Sequence, residues 1–370
     1  MRPRALPFGS RLDRYVAALF GYSYLAAFFL VVGLFVIIDM ATNLDEFLTP
    51  DKNGVVPPTA LVGEYYLLQL PFLFLQMSPY VTLVAGLFTG TKLARSNEIV
   101  AALGAGISVR RMLLPVYLGA TLLAAGVFVL REQATHEIGR RRDLLLDSLK
   151  ERRSEPEIEK LIVHVKHSNP VTLRRYRIDP DPMASVALRG LWVQSREGER
   201  LVSVEARSAR PLSGGRWALE GGQRIEEEGG RRRTSKWPIL DNPRFTPEEV
   251  ELAWKARERP LDLSSGELND LLSREPTNLQ YRSLVQYNLT FPLAGLVLLL
   301  AGLPFVVASE RGRAGERIAR GLILCVFYFG VDFVSRTLGW QGAVGPVFAG
   351  WLPLVVFGSL GAVLTASMRS

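Results

Sequence analysis

Cysteine is nearly absent. The one thiol in 370 residues, Cys325, sits inside an apolar run, which excludes a disulfide framework and a thiolate metal cluster. Histidine is scarce as well, limited to His136, His164 and His167. His136-Glu137 opens like a zinc-protease motif, but Arg140 stands where the second ligand belongs. His164 and His167 lie three apart on an expected strand, a spacing that sends them to opposite faces. No metal site and no cofactor are therefore expected. Gly86-Leu87-Phe88-Thr89-Gly90-Thr91-Lys92 has the outline of a phosphate loop, yet it lacks the G-K-[ST] order and a preceding strand. The chain is not expected to be an enzyme, and any ATP that drives it is hydrolysed on another chain.

Charge is the third shortage, and it is local. Apolar residues make up 48% of the chain and charged residues 22%. Charge is sparse in 15–130 and 284–368 and dense in 131–282. Six apolar runs are long enough to cross a bilayer: Leu19–Met40, Leu61–Leu87, Met112–Leu130, Leu284–Ala308, Ile318–Leu338 and Val344–Ala366. Roughly 20 such residues in a helix cover about 30 Å of hydrocarbon. The second run is interrupted by Pro71 and Pro79. The first is too long for a signal-peptide core, and Asp39 and Asp45 follow it in place of a cleavage site. The expected fold class is an α-helical membrane protein with six transmembrane helices and an inserted all-β domain.

Lys and Arg in short loops set the orientation. One side holds Arg2, Arg4, Arg11, Arg14, Lys92, Arg95, Arg110, Arg111, Arg311, Arg313, Arg317, Arg320 and Arg369. The other short loops hold Lys52 and, at a helix end, Arg336. Both termini are thus expected in the cytoplasm, with the central domain across the membrane. The net charge of +8 needs no nucleic acid, because basic residues facing an anionic inner leaflet account for it.

The expected division is 1–131 for spans one to three, 132–282 for the outer domain with helical linkers, and 283–370 for spans four to six. Within the outer domain, 158–166, 171–178, 184–195 and 200–206 are rich in β-branched residues. Val202 and Val204 alternate with Ser203 and Glu205, the period of a half-buried strand. Gly214-Gly215, Gly221-Gly222 and Gly229-Gly230 punctuate the following strands. Short strands in series with glycine turns point to a sandwich or jelly roll. Residues 131–153 read as a helical continuation of the third span. Ser264 or Ser265 before Glu267 reads as a helix cap.

The loop 92–111 is the most informative short segment. Glu98–Leu103 is helix-forming and Gly104 and Gly106 end it, so a short amphipathic helix lies on the cytoplasmic face, a means of docking a soluble partner. The plainer reading is a basic surface loop. Here the sequence resembles a known family. Arg95, Ser96, Glu98, Ile99, Ala101, Gly104-Ala105-Gly106, Ile107 and Ser108 resemble the coupling region of the LptF/LptG (YjgP/YjgQ) lipopolysaccharide-export permeases. The resemblance extends to Leu12-Asp13-Arg14-Tyr15 before the first span. It covers Ala206 to Ala209 followed by Gly215-Arg216-Trp217-Ala218-Leu219, and Tyr287-Asn288-Leu289-Thr290-Phe291-Pro292-Leu293-Ala294. Leu303-Pro304-Phe305 and Trp351-Leu352-Pro353 complete it, and Asp39 with Leu44-Asp45-Glu46 resembles LptG more than LptF.

The resemblance implies the permease subunit of an ABC-type exporter in a bacterial inner membrane. It would pair with a second LptF/LptG-like permease on an LptB-like ATPase dimer. Lipopolysaccharide would pass from the membrane to a periplasmic bridge of LptC/LptA-like jelly rolls. Arg95, Glu98, Ile99, Leu103 and Ile107 would couple to the ATPase. LptG-like members carry lysines just past the first span. This chain has Asp39, Asp45, Glu46 and Asp51 there, opposed by Lys52. The lipid headgroup then falls to Arg131, Arg282 and Arg336, each at the periplasmic end of a span. The plainer reading of each is an interfacial anchor that snorkels to the headgroups. Two other readings stay open: a membrane sensor with an outer β domain, and a lipoprotein-releasing or antibiotic-export permease, which has four spans.

Overall fold

The computed structural model describes residues 9–48, 58–134, 138–139, 141–142, 145, 161–163, 171–173, 188–197, 200–212, 216–228, 231–241, 246–307 and 314–368. His136, His164 and His167 lie outside them, as do Asp51, Lys52, the glycine pairs at 214–215 and 229–230, and Arg2, Arg4, Arg311, Arg313 and Arg369. Among the described residues, six helices are long and apolar enough to cross a membrane. They are α1 (Arg11–Leu48), α2 (Thr59–Arg95), α4 (Val109–Ala134), α7 (Leu279–Val307), α8 (Ala314–Trp340) and α9 (Pro346–Ala366); a short α3 (Glu98–Gly104) joins α2 to α4. Helices α1, α2, α4 and α7–α9 contain the six expected apolar runs, apart from Ala308 of the fourth, which lies outside the described residues, and Val344 and Gly345 at the start of the sixth. Pro71 and Pro79 do not interrupt α2, which runs through both. Each proline removes one hydrogen bond of the ladder, a loss that packed neighbours and hydroxyl groups offset in a membrane bundle.

The chain divides into two compact units. The first comprises 1–42, 70–134 and 278–370. Its core is built from Val16 and Phe20 of α1, Val81 and Ala85 of α2, Ile99 and Ala102 of α3, Leu113 and Val116 of α4, and Leu299 and Leu303 of α7. A second cluster joins Leu83 and Leu87 to Leu298, Tyr328 and Phe357. Lipid tails are as apolar as leucine, so close backbone approach supplies much of the cohesion between such helices. Gly361 is where α9 meets α7: a Cβ there would lie 2.8 Å from the Ala301 nitrogen and 2.9 Å from the Leu300 carbonyl carbon. The large apolar side chains of α1 (Tyr22, Phe29, Ile37) and of α8 (Val326, Phe327, Phe333) point outward, the pattern that a hydrocarbon solvent permits.

The second unit comprises 43–69 and 135–277. Residues 138–139, 141–142 and 145 are helical. The strands are β1 (Leu161–Val163), β2 (Val171–Leu173), β3 (Leu188–Glu197), β4 (Arg200–Leu212), β5 (Arg216–Glu220), β6 (Gln223–Glu228), β7 (Arg231–Lys236) and β8 (Ile239–Leu240). All pairings are antiparallel, in the order β1-β2-β3-β4-β5-β8, with β6 also on β4 and β7 on β6. One edge of β4 changes partner along its length: Leu201–Glu205 pairs with β6 and Ser208–Leu212 with β5. The buried face changes at the same place. Val204 and Ala206 are inward, then Ala209, so the strict alternation of period two slips by one residue. Leu191, Val204, Ala206, Ala209, Trp217 and Leu219 form the core, covered by Val250 of α5 (Pro247–Glu258).

Two helices end this unit, each started by a capping box: Thr246 with Glu249 for α5, and Ser264 with Glu267 for α6 (Ser265–Arg274). The cap expected at Ser264 or Ser265 is thus Ser264. Lys255–Glu267 at 2.7 Å and Arg274–Glu249 at 3.0 Å tie α5 to α6. Arg142 and Asp262 pair at 2.9 Å with both side chains buried. Burial pushes the nearby Arg259 guanidinium down to about 10, with the charge of Arg142 adding to the shift and Asp262 opposing it.

Candidate functional site

Two clusters of polar residues stand at opposite ends of the first unit. The first is built around α3. A two-residue link, Ser96 and Asn97, turns the chain out of α2, with Asn97 in the left-handed region at φ 57°, a conformation Asn tolerates. Gly106, at φ 77°, ends the helix: its N–H donates to Leu103 O and that of Ile107 to Ala102 O. This double closure needs a left-handed residue, which glycine supplies without a Cβ clash. Both expected signals, a helix from Glu98 and a glycine stop, are present.

The placement of the predicted coupling residues is uneven. Arg95 is exposed, and the Glu98 carboxylate accepts a 2.9 Å hydrogen bond from the Tyr15 hydroxyl of α1. Ile99, expected among the partner-facing residues, is 6% exposed and belongs to the core; its position on the helix turns it inward beside Ala102. Leu103 and Ile107 are half-buried against the same core. Val100, 67% exposed, is the large apolar residue that α3 presents outward.

Two neighbouring arginines at the start of α4 fasten this end. Arg111 makes a two-pronged pair with Asp13 at 2.5 and 2.9 Å, and Asp13 also accepts from the Gly9 and Ser10 backbone N–H groups and the Ser10 hydroxyl. Arg110 reaches the carbonyl oxygens of Ala366, the last residue of α9, and of Met368 just beyond it. Helices α1, α3, α4 and α9 are therefore joined here by charge-assisted bonds.

At the opposite end, Arg131 of α4 and Arg336 of α8 converge on Tyr287 of α7. Their guanidinium carbons lie 6.0 and 4.8 Å from its ring centre. Arg131 is 5% exposed, donates to the Asn288 side-chain oxygen and stands over Phe291. Arg336 stands over Trp340 and pairs with Asp332 at 4.0 Å. Cations on aromatic faces are held by the ring quadrupole, which leaves hydrogen-bonding capacity on the guanidinium unused. Among the described residues, Arg336 Nη1, Trp340 Nε1 and Ser283 Oγ are buried here without a hydrogen-bonding partner. All three can donate to an anionic oxygen. Arg282 does not join them; it is exposed near the start of α7.

The profile of the family described as lipopolysaccharide export system permease LptF/LptG matches residues 14–367, nearly the whole chain. The chain belongs to the LptF/LptG family. As an LptF/LptG permease it is a multi-pass inner-membrane protein of lipopolysaccharide export, and a transport component in place of a catalyst. No curated protein matches the chain.

Sequence reasoning missed several residues that shape the two clusters of this LptF/LptG permease. Asp13 carried a visible signal, an acidic residue in the first helical turn, but its partner Arg111 is 98 residues away. Tyr287 and Asn288 were visible as part of the family resemblance and not as neighbours of the arginines. Ser283 and Trp340 carry no signal beyond ordinary helix-end composition.

Proposed function

We propose that this LptF/LptG permease is one half of an ATP-driven exporter that takes lipopolysaccharide, or a related glycolipid, out of the inner membrane. Arg131 and Arg336 receive its phosphorylated headgroup, with Trp340 Nε1 and Ser283 Oγ completing the set of donors. The observation that carries this reading is the pair of arginines on Tyr287 beside buried, unpartnered donors. Charged groups within a spanning bundle are costly and mark substrate paths, and guanidinium is suited to phosphate.

The Lys/Arg asymmetry supports cytoplasmic termini and a periplasmic second unit, with 132–282 as the jelly-roll domain that hands the lipid to LptC/LptA-like bridge proteins. Arg95, Glu98 and Val100 then face an LptB-like ATPase dimer, with Ile99, Leu103 and Ile107 seating α3 in the core. A second LptF/LptG-like permease closes the cavity. ATP acts by favouring one of two cavity shapes with different lipid affinity.

The test is the reconstituted complex with Arg131→Gln and Arg336→Gln. Lipopolysaccharide binding is expected to fall about tenfold for each, the value of one charge-assisted contact. Basal ATP hydrolysis is the control that the complex has assembled. Undiminished binding in the double variant would refute the headgroup role.

A further inference from the structure

The end of α2 carries a cavity that borders the α3 cluster and shares Arg95 and Ser96 with it. It has a volume of about 510 Å³ and is lined by Phe88, Thr91, Lys92, Arg95, Ser96 and Ile318. Its wall is divided by chemistry. Lys92 and Arg95 stand one turn apart on the rim, both exposed and in no ion pair among the described residues. Phe88 and Ile318 form the apolar side.

Thr91 supplies an independent sign of a missing partner. Thr82, Thr89, Thr121, Thr290 and Thr337 each donate their hydroxyl to the carbonyl four residues back, the ordinary solution in a membrane helix. Thr91 does not. It is 7% exposed, and its hydroxyl has no hydrogen-bonding partner among the described residues, although it lines a cavity beside two cations.

The apolar side of the cavity continues along α8. Ile318, Leu322 and Val326 follow one another at the four-residue spacing of a single helix face. Leu322 is 43% and Val326 74% exposed, so the face opens outward with distance from the cavity. A water-soluble acidic peptide would use the cations and have no use for this face. A phospholipid would use both. Basic pockets between spanning helices on the cytoplasmic side suit anionic lipid headgroups.

We propose that this cavity seats the phosphate of an anionic phospholipid, held by Lys92 and Arg95, with an acyl chain along Ile318, Leu322 and Val326. The Thr91 hydroxyl donates to a phosphate oxygen. The site is separate from the headgroup cluster at the other end of the unit, and it binds a resident lipid and not the exported one. It rests on the cytoplasmic placement of 92–111 proposed above, and it puts a membrane lipid beside the segment that faces the ATPase.

The purified, delipidated full chain is titrated with phosphatidylglycerol and with phosphatidylcholine of the same acyl chains, binding being read by native mass spectrometry. Phosphatidylglycerol is expected to bind roughly thirtyfold more tightly, about what two basic side chains contribute. Lys92→Gln with Arg95→Gln abolishes the preference, and Lys92→Gln alone halves or more than halves it. Thr91→Val weakens phosphatidylglycerol and leaves phosphatidylcholine unchanged. Arg14→Gln, an exposed cation at the same end but outside the cavity wall, retains the full preference. The temperature at which the buried Cys325 becomes reactive verifies that each variant is folded.

Equal affinity of the wild type for both lipids overturns the proposal, as does a preference that survives in the double variant. Competition by inorganic phosphate alone overturns it in favour of a free-anion site. A double variant that keeps the lipid preference but no longer captures the ATPase assigns the cavity to the protein partner and likewise overturns it. Glu98 lies outside the cavity wall, so the coupling role of α3 stands or falls on its own substitution.

Discussion

The two ends of the helix bundle use arginine in opposite ways. Where α1 begins, Arg111 closes on the Asp13 carboxylate and Arg110 on two carbonyl oxygens at the end of α9. Where α4 and α8 finish, Arg131 and Arg336 lie over aromatic rings, and Arg336 Nη1 is buried without a hydrogen-bonding partner among the described residues. A guanidinium saturated by fixed oxygens is a fastener. One held by an aromatic face keeps donors in reserve, because the ring fixes its position without consuming its N–H groups. The first arrangement suits a joint that carries force between helices, and the second suits a seat for an anion that arrives and leaves.

The largest effect that would sharpen this contrast is expected at Glu98. Its carboxylate belongs to the joint through Tyr15 yet remains on the outer side of α3. Glu98→Gln still accepts the Tyr15 hydroxyl, so an internal role alone leaves ATP hydrolysis by the reconstituted complex near the wild-type level. If Glu98 also pairs with a cation on the ATPase, Glu98→Lys loses about 2 kcal/mol or more of docking affinity, roughly thirtyfold. Pull-down of the ATPase reads this directly. Wild-type capture by Glu98→Lys removes the coupling role and leaves α3 as part of the joint only.

Next comes Asp13→Ala, which leaves Arg111 without its carboxylate. A hydrogen bond to a charged group contributes about 1.5–3 kcal/mol, and this pair is partly shielded from water, with side-chain exposures of 23% and 8%. Cys325 is the only thiol in the chain and is buried, so its reactivity on heating in detergent reports unfolding of the bundle. Earlier exposure is expected for Asp13→Ala than for Arg336→Gln, whose side chain loses ring contacts and a 4.0 Å ion pair. The reverse order would contradict the division into fastener and seat.

The smallest expected effect is at Gly106. An alanine at φ 77° costs about 1 kcal/mol, concentrated where α3 ends. Hydrogen exchange of the Gly106 and Ile107 region, whose N–H groups close the helix, should accelerate while the thermal transition read at Cys325 moves little. A large global shift would mean that α3 is bonded into the bundle more firmly than its exposed face suggests.

Much of this was legible in the amino-acid order. The hydrocarbon thickness forces each span to be long and apolar, so six runs showed themselves before any contact was known. The cap at Ser264 and the stop at Gly106 were legible because both act over three or four residues. Other features were not. Arg282 and Arg336 stand at comparable helix ends with the same side chain, yet one is exposed and the other faces Tyr287. Rotation about the helix axis decides between them, and packing sets that rotation. Ile99 read as partner-facing for the same reason: an amphipathic helix of seven residues has two apolar sides when it lies on a bundle that is itself apolar.

The sequence by itself determined which segments enter the bilayer, where the short helix α3 begins and ends, and the family. Those are consequences of local chemistry: transfer of apolar side chains out of water, helix caps, and a glycine where φ must be positive. Only the tertiary structure decided that Asp13 meets Arg111, that Arg110 holds the end of α9, that Arg131 and Arg336 share Tyr287, and that β4 changes partners along one edge. The side-chain contacts join residues 49 positions apart (Tyr287 and Arg336) to 258 apart (Arg110 and Met368). Helix rotation and backbone approach, at points such as Gly361, bring them together, and no local pattern encodes either.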